Sequence, residues 1–297
     1  MKSAKLLAFF LGAALSCMAE LAFAQAATLF ELSGTAQAIP NVGAPRTLRM
    51  GDTLNQGDTV ATGANSSAVL QFADGHVVAL SGASRATITT YMFDQANPAN
   101  GKVSITLAEG GMRAVTGSIG KANPSAVSYQ AADAKIAVQG TDVNIATAAG
   151  LVAVTVNDGL ITFQLPGQQA VSIPAGQGLI KKRDGTTSSA PAAQIIAALR
   201  ALAATSAALA NAPGATQEQK DAAAATAAAA TDMVAALSTA TSSSITTAIN
   251  RANAISARPP TPPAPPNPPV PPTFPGKGSP TGAGSTGSGG GGKGSGS

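Results

Sequence analysis

Between Gly51 and about Gly178, apolar and polar residues alternate in short runs that end at residues tolerant of a positive φ. The runs SAVLQF and VVAL flank Asp74-Gly75, and VAVTV and LITF flank Asp158-Gly159. Both dipeptides are read as hairpin turns, because Asp and Gly accept the left-handed backbone that a tight turn between strands requires. Gly57-Asp58, Gly110-Gly111 and Gly176 to Gly178 are read as further turns. In VAVTV, Val152, Val154 and Val156 point to one face and Ala153 and Thr155 to the other. One face then buries its valines, each worth roughly 1.5–3 kcal/mol on full burial. Strands this short and this frequent predict a mainly β domain, a sandwich, a barrel or a short β-solenoid, with the sandwich and the solenoid taken forward. No fixed repeat period selects the solenoid.

After Pro191 the pattern changes to an alanine-rich one with helical spacing. Pro191 suits a first-turn position, and Ile195, Leu199, Leu202 and Leu209 fall on one stripe. Pro213-Gly214 breaks that helix. Thr216 and Gln219 have capping-box spacing and open a second helix, read as running to about Ser256, with Val234, Leu237, Ile245 and Ile249 as its apolar seam. Alanine favours helix but buries little area, so this α-helical hairpin is expected to be stable only when docked. It is either a spacer or oligomerising unit, or a helical stalk without a partner.

From Arg258 to Pro275 proline dominates, and from Gly276 to Ser297 the chain is almost entirely Gly and Ser. Polyproline II followed by flexible coil builds no core, so residues 258–297 are read as a disordered tail; a tether or a proline-rich ligand is the functional alternative. The division is a leader at 1–24, a β domain at 25–188, a helical region at 189–257 and the tail.

Lys2 and Lys5, the apolar run Leu6 to Leu15 and the small residues of Ala22-Phe23-Ala24 form a secretory leader with a cut expected between Ala24 and Gln25. Periplasmic or secreted location follows from it. The run is too short to span a membrane and Glu20 interrupts it, and no later run is read as long and pure enough to do so. Before Cys17 stand Ala14-Leu15-Ser16, the reverse of the large-then-small order that lipidation prefers, so lipidation is the lesser alternative. Once the leader is cut, no cysteine is left for a disulfide or thiolate site.

The chain's pI near 9.4 does not reflect the β region. Between Ala26 and Ser188 there are ten basic and ten acidic side chains, tryptophan is absent, and only Lys181-Lys182-Arg183 clusters. That cluster is read as a solvated domain edge. A nucleic-acid partner needs a basic face with stacking aromatics, so nucleic acid is not expected.

His76 is the only histidine. It follows the Asp74-Gly75 turn and is read as a solvated turn residue rather than as the base of a triad with Ser81 or Ser84. Zinc needs several His or Cys ligands. Asp52, Asp58, Asp74, Asp142 and Asp158 suit a hard cation in type, but no run has the form of a calcium loop, and they are read as turn formers. No catalytic, cofactor-binding or metal residue is assigned, and the chain is read as a non-enzyme.

Five blocks taken in order, GDTLNQGDTVATG, AVLQFADGHVVAL, LAEGG, AVQGTDVNIAT and VTVNDGLITF, resemble the FecR domain over about Gly51 to Ile180. The doubled Gly-Asp, the Asp-Gly pair and Gly140-Thr141-Asp142 carry most of the likeness. The resemblance implies the periplasmic sensing module of ferric-citrate-type regulators. Those regulators place a cytoplasmic sigma-binding segment and a transmembrane helix before the domain, and neither is read here. What it implies is therefore an exported domain that binds an envelope protein or ligand, with the periplasmic parts of outer-membrane receptors as candidates. The alternative is a surface or matrix protein displaying a β domain on a stalk and tether. A further reading makes Leu70, Phe72, Val78 and Leu80 an edge hairpin that accepts a partner's strand.

The leader reading predicts that protein recovered from an exporting host starts at Gln25, checked by intact mass and N-terminal sequencing. A mature chain that retains Met1 overturns it.

Overall fold

The computed structural model describes residues 25–256. The leader with Cys17, and the proline and Gly/Ser segments, lie outside the described residues. The strands are β1 (Gln25–Ser33), β2 (Ala36–Ile39), β3 (Arg46–Thr47), β4 (Thr53–Asn55), β5 (Thr59–Thr62), β6 (Ser67–Phe72), β7 (Val77–Leu80) and β8 (Arg85–Met92). They continue as β9 (Lys102–Val115), β10 (Val127–Ala131), β11 (Ala134–Ala148), β12 (Leu151–Gln164), β13 (Val171–Pro174), β14 (Gln177–Lys181) and β15 (Thr187–Pro191).

β9, β11 and β12 are more than twice the length of most of their neighbours, and each runs straight through a glycine pair or step read as a turn or signature in the sequence. Before Gly110, β9 pairs with β8 and, in parallel, with β10; from Gly110 on it pairs with β11 and then β7. β11 and β12 pair along their whole lengths, with register shifts between Gln139 and Val143. The first part of β12 also pairs with β14 and the last part with β13. One hydrogen-bonded network is thereby folded into two sheets. The first has the order β15-β14-β12-β11-β9-β7-β6-β1-β4, and the second β13-β12-β11-β10-β9-β8-β5-β2-β3. Their facing residues join in a single core: Val152, Val154, Val156, Met112 and Leu70 from the first, and Ile136, Phe163, Tyr129, Ile105 and Ile88 from the second. The fold is a sandwich.

Left-handed backbone marks the bends, with φ +85° at Gly110, +59° at Gly140 and +79° at Gly159. A Cβ on Gly159 would lie 2.4 Å from the carbonyl oxygen of Gly140. Asp158-Gly159 is therefore not a hairpin turn, and neither is Gly110-Gly111. Both are bulge-like bends inside continuous strands, and β12 keeps its pairing because β11 bends at the same level. The turn joining β11 to β12 is Ala149-Gly150, with φ +46° and +83°. Its alanine carries no turn signal. Asp74-Gly75 does form the β6–β7 hairpin, with Phe72 N donating to His76 O at 2.8 Å. Gly57-Asp58 and Ala175-Gly176 also turn the chain, whereas Gly178 lies within β14.

The edge-hairpin reading fails. β6 is flanked by β1 and β7, and β7 by β6 and β9, while Leu70, Phe72, Val78 and Leu80 all face the core. The strand that covers β6 is β1, which lies ahead of the alternating region. Lys181 is not at a solvated edge either. The period of β14 turns it inward, where it is buried and Nζ donates to Asp133 Oδ1 at 2.6 Å and to Gly150 O at 3.2 Å.

A single-turn helix, α1 (Ser118–Ala122), lies within the β region and puts Ile119 in the core. The later helices, α2 (Ala192–Ala210), α3 (Gln217–Ala240) and α4 (Ser243–Ser256), form a third layer on the outer face of the first sheet. The capping box forms: Gln219 N donates to Thr216 Oγ1, and Thr216 N to Gln219 Oε1. Ile195 and Leu199 of α2 and Met233 and Leu237 of α3 bury Ala146, Leu151, Ala153 and Ile180 of the sheet. Ala153 and its valine neighbours are thus buried on opposite faces of one strand. Leu209 remains about half exposed at the far end of α2. Gly111 and Gly178 let the helices approach: a Cβ there would meet Ala236 Cβ at 2.7 Å and Ile195 Cγ1 at 2.6 Å. The expected second helix is broken into α3 and α4 at Thr241-Ser242, because the apolar side chains of α4 pack on β6 and β7. α2 also corrects the membrane reading. It is long and apolar enough to cross a bilayer by length and composition, its alanines adding to its few large apolar residues; here Ile195 and Leu199 are packed on the sheet.

Gly159→Ala adds a methyl group at a left-handed position already in contact with Gly140. It is expected to lower stability by about 1–3 kcal/mol from backbone strain alone, read as a lower urea midpoint at unchanged m value.

Candidate functional site

At one end of the sandwich the β6–β7 turn, the end of β9 and the bends of β11 and β12 meet. Asp74, Gly75, Gly117, Gly140, Thr141 and Asp158 border a cleft of about 580 Å³, with Lys121 of α1 and Asn253 of α4 on its rim. Two of the signature segments of the sequence, Asp74-Gly75 and Gly140-Thr141-Asp142, converge here together with Asp158, whereas the doubled Gly-Asp block does not border the cleft. Left-handed Gly75 and Gly140 leave main chain uncovered on its walls. Lys121 and Asp158 are exposed.

The wall between β9 and β11 is held by threonines. Thr141 N donates to Thr116 Oγ1 at 3.0 Å, and Thr116 N and Oγ1 both donate to Thr141 O at 3.0 Å. Asp142, one step on, takes a bidentate pair from Arg113, with Nε to Oδ1 at 2.9 Å and Nη2 to Oδ2 at 2.6 Å. Asn157 Nδ2 donates to the same carboxylate at 3.0 Å, and Arg113 Nη1 reaches Thr246 Oγ1 of α4 at 2.8 Å. Such forked charge-assisted bonds fix geometry as well as adding energy. A polar seam thus divides the apolar patch under α2 and α3 from the one under α4.

Below the cleft is a buried polar cluster that the sequence reading missed. His76 is fully buried rather than solvated. Its Nε2 lies 3.0 Å from Tyr129 Oη, and its ring packs edge-on against Phe72. Asp74 is also buried: its Oδ1 accepts from His76 N at 3.1 Å, and its N donates to Tyr91 Oη at 2.9 Å. Asp74 Oδ2 and His76 Nδ1 have no hydrogen-bond partner. Burial lowers the His76 pKa from its ordinary 6.5, against a smaller opposing pull from Asp74. Burial likewise raises the hydroxyl pKa of Tyr129 and of Tyr91, with the Asp74 charge adding to both. The only signal for the burial of His76 was its place one residue before the apolar run VVAL.

The five aspartates divide by role. Asp52 accepts from Arg49 N at 2.9 Å, Asp58 from Asn55 N at 3.0 Å and Asp74 from His76 N, all turn-forming bonds. Asp52 and Asp58 also pair with Arg46, each at 3.7 Å, whereas Asp142 lies in β11 and takes the forked pair from Arg113, and Asp158 sits at the β12 bend. Among the described residues no group of three His, Cys, Asp or Glu side chains is close enough to hold a metal ion. Ser81 and Ser84 are at the opposite end of the sheet from His76, bonded to Gly111 O, each at 3.1 Å. A second groove of about 930 Å³ lies at that end, between α3 and the strand turns, lined mainly by Ala, Ser and Gly with Glu109 and Asp232.

Residues 58–162 match the model of one family, described as FecR protein. No curated protein matches the chain. Among solved structures, crystal structures of a candidate anti-sigma factor from Parabacteroides distasonis at 1.65 Å and 2.50 Å resemble it with a TM-score of 0.38 and 16% identity. The match covers 48% of this chain, and the chain spans 64% of the length of that protein.

Because its histidine is held neutral, the native chain binds fewer protons than the unfolded one below pH 6.5. His76 therefore contributes stability that is fully present above pH 6.5 and is lost as the pH falls from there toward its lowered folded value. Urea midpoints measured from pH 7.5 to 4.5 should drop through this window in the native chain and less in His76→Gln. Equal slopes in the two chains overturn the assignment.

Proposed function

From the FecR domain formed by residues 58–162, we propose that the chain is a non-enzymatic regulatory module, exported to the envelope, that recognises an envelope protein through the cleft between Asp74, Thr141 and Asp158. The observation that carries this reading is the convergence of the Asp74-Gly75, Gly140-Thr141-Asp142 and Asp158-Gly159 segments on one concave surface. A cleft with exposed main chain at its glycines, one rim lysine and one exposed aspartate suits a polar, extended segment of a protein better than an apolar small molecule. The rigid backing of Arg113-Asp142 and Thr116-Thr141 preorganises it, which lowers the entropic cost of binding. Export rests on the leader of residues 1–24; a cut after Ala24 leaves β1 intact, since it begins at Gln25. The helices lie on the sheet instead of standing away from it, which weighs against a display domain on a stalk.

The test is capture from envelope extract by the full chain and by Lys121→Glu/Asp158→Lys, two exposed changes that leave the core untouched. A partner retained by the native chain and lost at least tenfold by the variant is the expected result. Equal capture by both moves recognition elsewhere on the molecule.

A further inference from the structure

β1 begins at Gln25, the residue that a cut after Ala24 makes the first of the mature chain. That end is built into the sandwich. Gln25 pairs with Asn55 of β4, and Ala27 pairs with Leu54 on one side and with Phe72 of β6 on the other. Ala26 and Ala27 are both buried. In the uncut chain the nitrogen of Gln25 belongs to a neutral, planar peptide group. The cut turns it into an α-amine with a pKa of about 8, mostly charged at neutral pH. A hollow of about 240 Å³ lies beside it, between the start of β1 and the end of β6, and no residue lining that hollow is charged. The new ammonium finds no carboxylate there, one residue from the core.

The side chain of the same residue can remove that charge. Gln25 is exposed, and among the described residues its amide makes one hydrogen bond, from Nε2 to Thr28 Oγ1 at 2.9 Å on the surface. A bond of this kind is worth about 0.5–1.5 kcal/mol, too little to stop the side chain from swinging back along the strand. The amide carbon of a glutamine then reaches its own α-nitrogen and closes a five-membered ring. Because Gln25 is exposed while Ala26 is not, the ring has room outside the core.

We propose that Gln25 is a modification site, cyclised after export into a pyroglutamyl cap on β1; this rests on the export reading above. The unprotonated α-nitrogen attacks Cδ of the side-chain amide. The N–Cδ bond forms, the Cδ–Nε2 bond breaks, and Nε2 leaves as ammonia with the proton that the amine gives up. No oxidant, reductant or cofactor enters. The lactam restores what the cut removed, a neutral planar amide with one N–H beside uncharged neighbours. It also closes the chain to aminopeptidases, which need a free α-amine. Ala26 and Ala27 are thereby kept in a strand that pairs with both β4 and β6.

The test is intact mass, with tandem mass spectrometry of the first peptide, on the full chain made with its leader in an exporting host. The purified protein is held at about pH 8, where roughly half of the amine is unprotonated and nucleophilic. The expected product begins at residue 25 and is lighter than the open form by one ammonia. Its α-nitrogen resists an amine-directed acylating reagent, and pyroglutamyl aminopeptidase removes one residue from it. Gln25→Asn has an amide that can close only a four-membered ring, so it should keep its full mass and a reactive α-amine. Gln25→Ser, which has no amide, is the same control should asparagine alter the cut. A native chain that begins at Gln25 with full mass and a free α-amine overturns the cap and leaves the export reading standing. A chain that begins at any other residue overturns both.

Discussion

Everything in this molecule depends on three glycine bends that let long strands serve two sheets. A sandwich made of separate sheets relies on its loops and core to hold the layers in register. Here β9, β11 and β12 cross from one layer to the other as continuous strands that shift register at the bends and pair on both sides of them, so the layers are joined through backbone. The bends cannot be moved independently, because Gly159 packs on Gly140 and a shift in one breaks the pairing of both strands. The same corner draws the Thr116-Thr141 clamp and the Asp142 carboxylate together at the cleft. Architecture and candidate site therefore share one cause.

The parts legible in the sequence were those governed by local rules. The period-two runs became strands, Thr216 with Gln219 became a capping box, and Asp74-Gly75 became a hairpin turn. Asp158-Gly159 has the same dipeptide and became a bend, because the deciding residue, Gly140, lies on another strand. His76 differs from its solvated reading for a non-local reason too: the Tyr129 that meets its ring comes from β10, and the Tyr91 that meets the neighbouring Asp74 comes from β8. Lys181 was judged by the basic residues beside it in the chain, while the period of β14 and the distant Asp133 decided its place.

The helical layer shows how composition can mislead. Alanine-rich sequence reads as low complexity, a stalk with little to say. Against a sheet face that offers Gly111 and Gly178 as points of approach, small side chains are what allow the helix backbones to come close. Ala229, Ala230 and Ala236 are buried along α3. Their size is a fit to the surface beneath them, and the second apolar cluster exists because of it.

The order of synthesis gives this layering a consequence in time. The strands of the first sheet are complete once residue 191 has been made, but the helices that cover its outer face come last. Until α2, α3 and α4 follow, a chain emerging from the ribosome or a translocation channel exposes Leu151, Ala153 and Ile180 on one half of that face and Val69, Val77 and Ala79 on the other. A truncated or stalled chain thus presents an uncovered apolar sheet, the kind of surface that holdase chaperones retain and that aggregates when they do not. Residues 192–256 act as the closing step of maturation, and protein lacking them is a substrate for quality control.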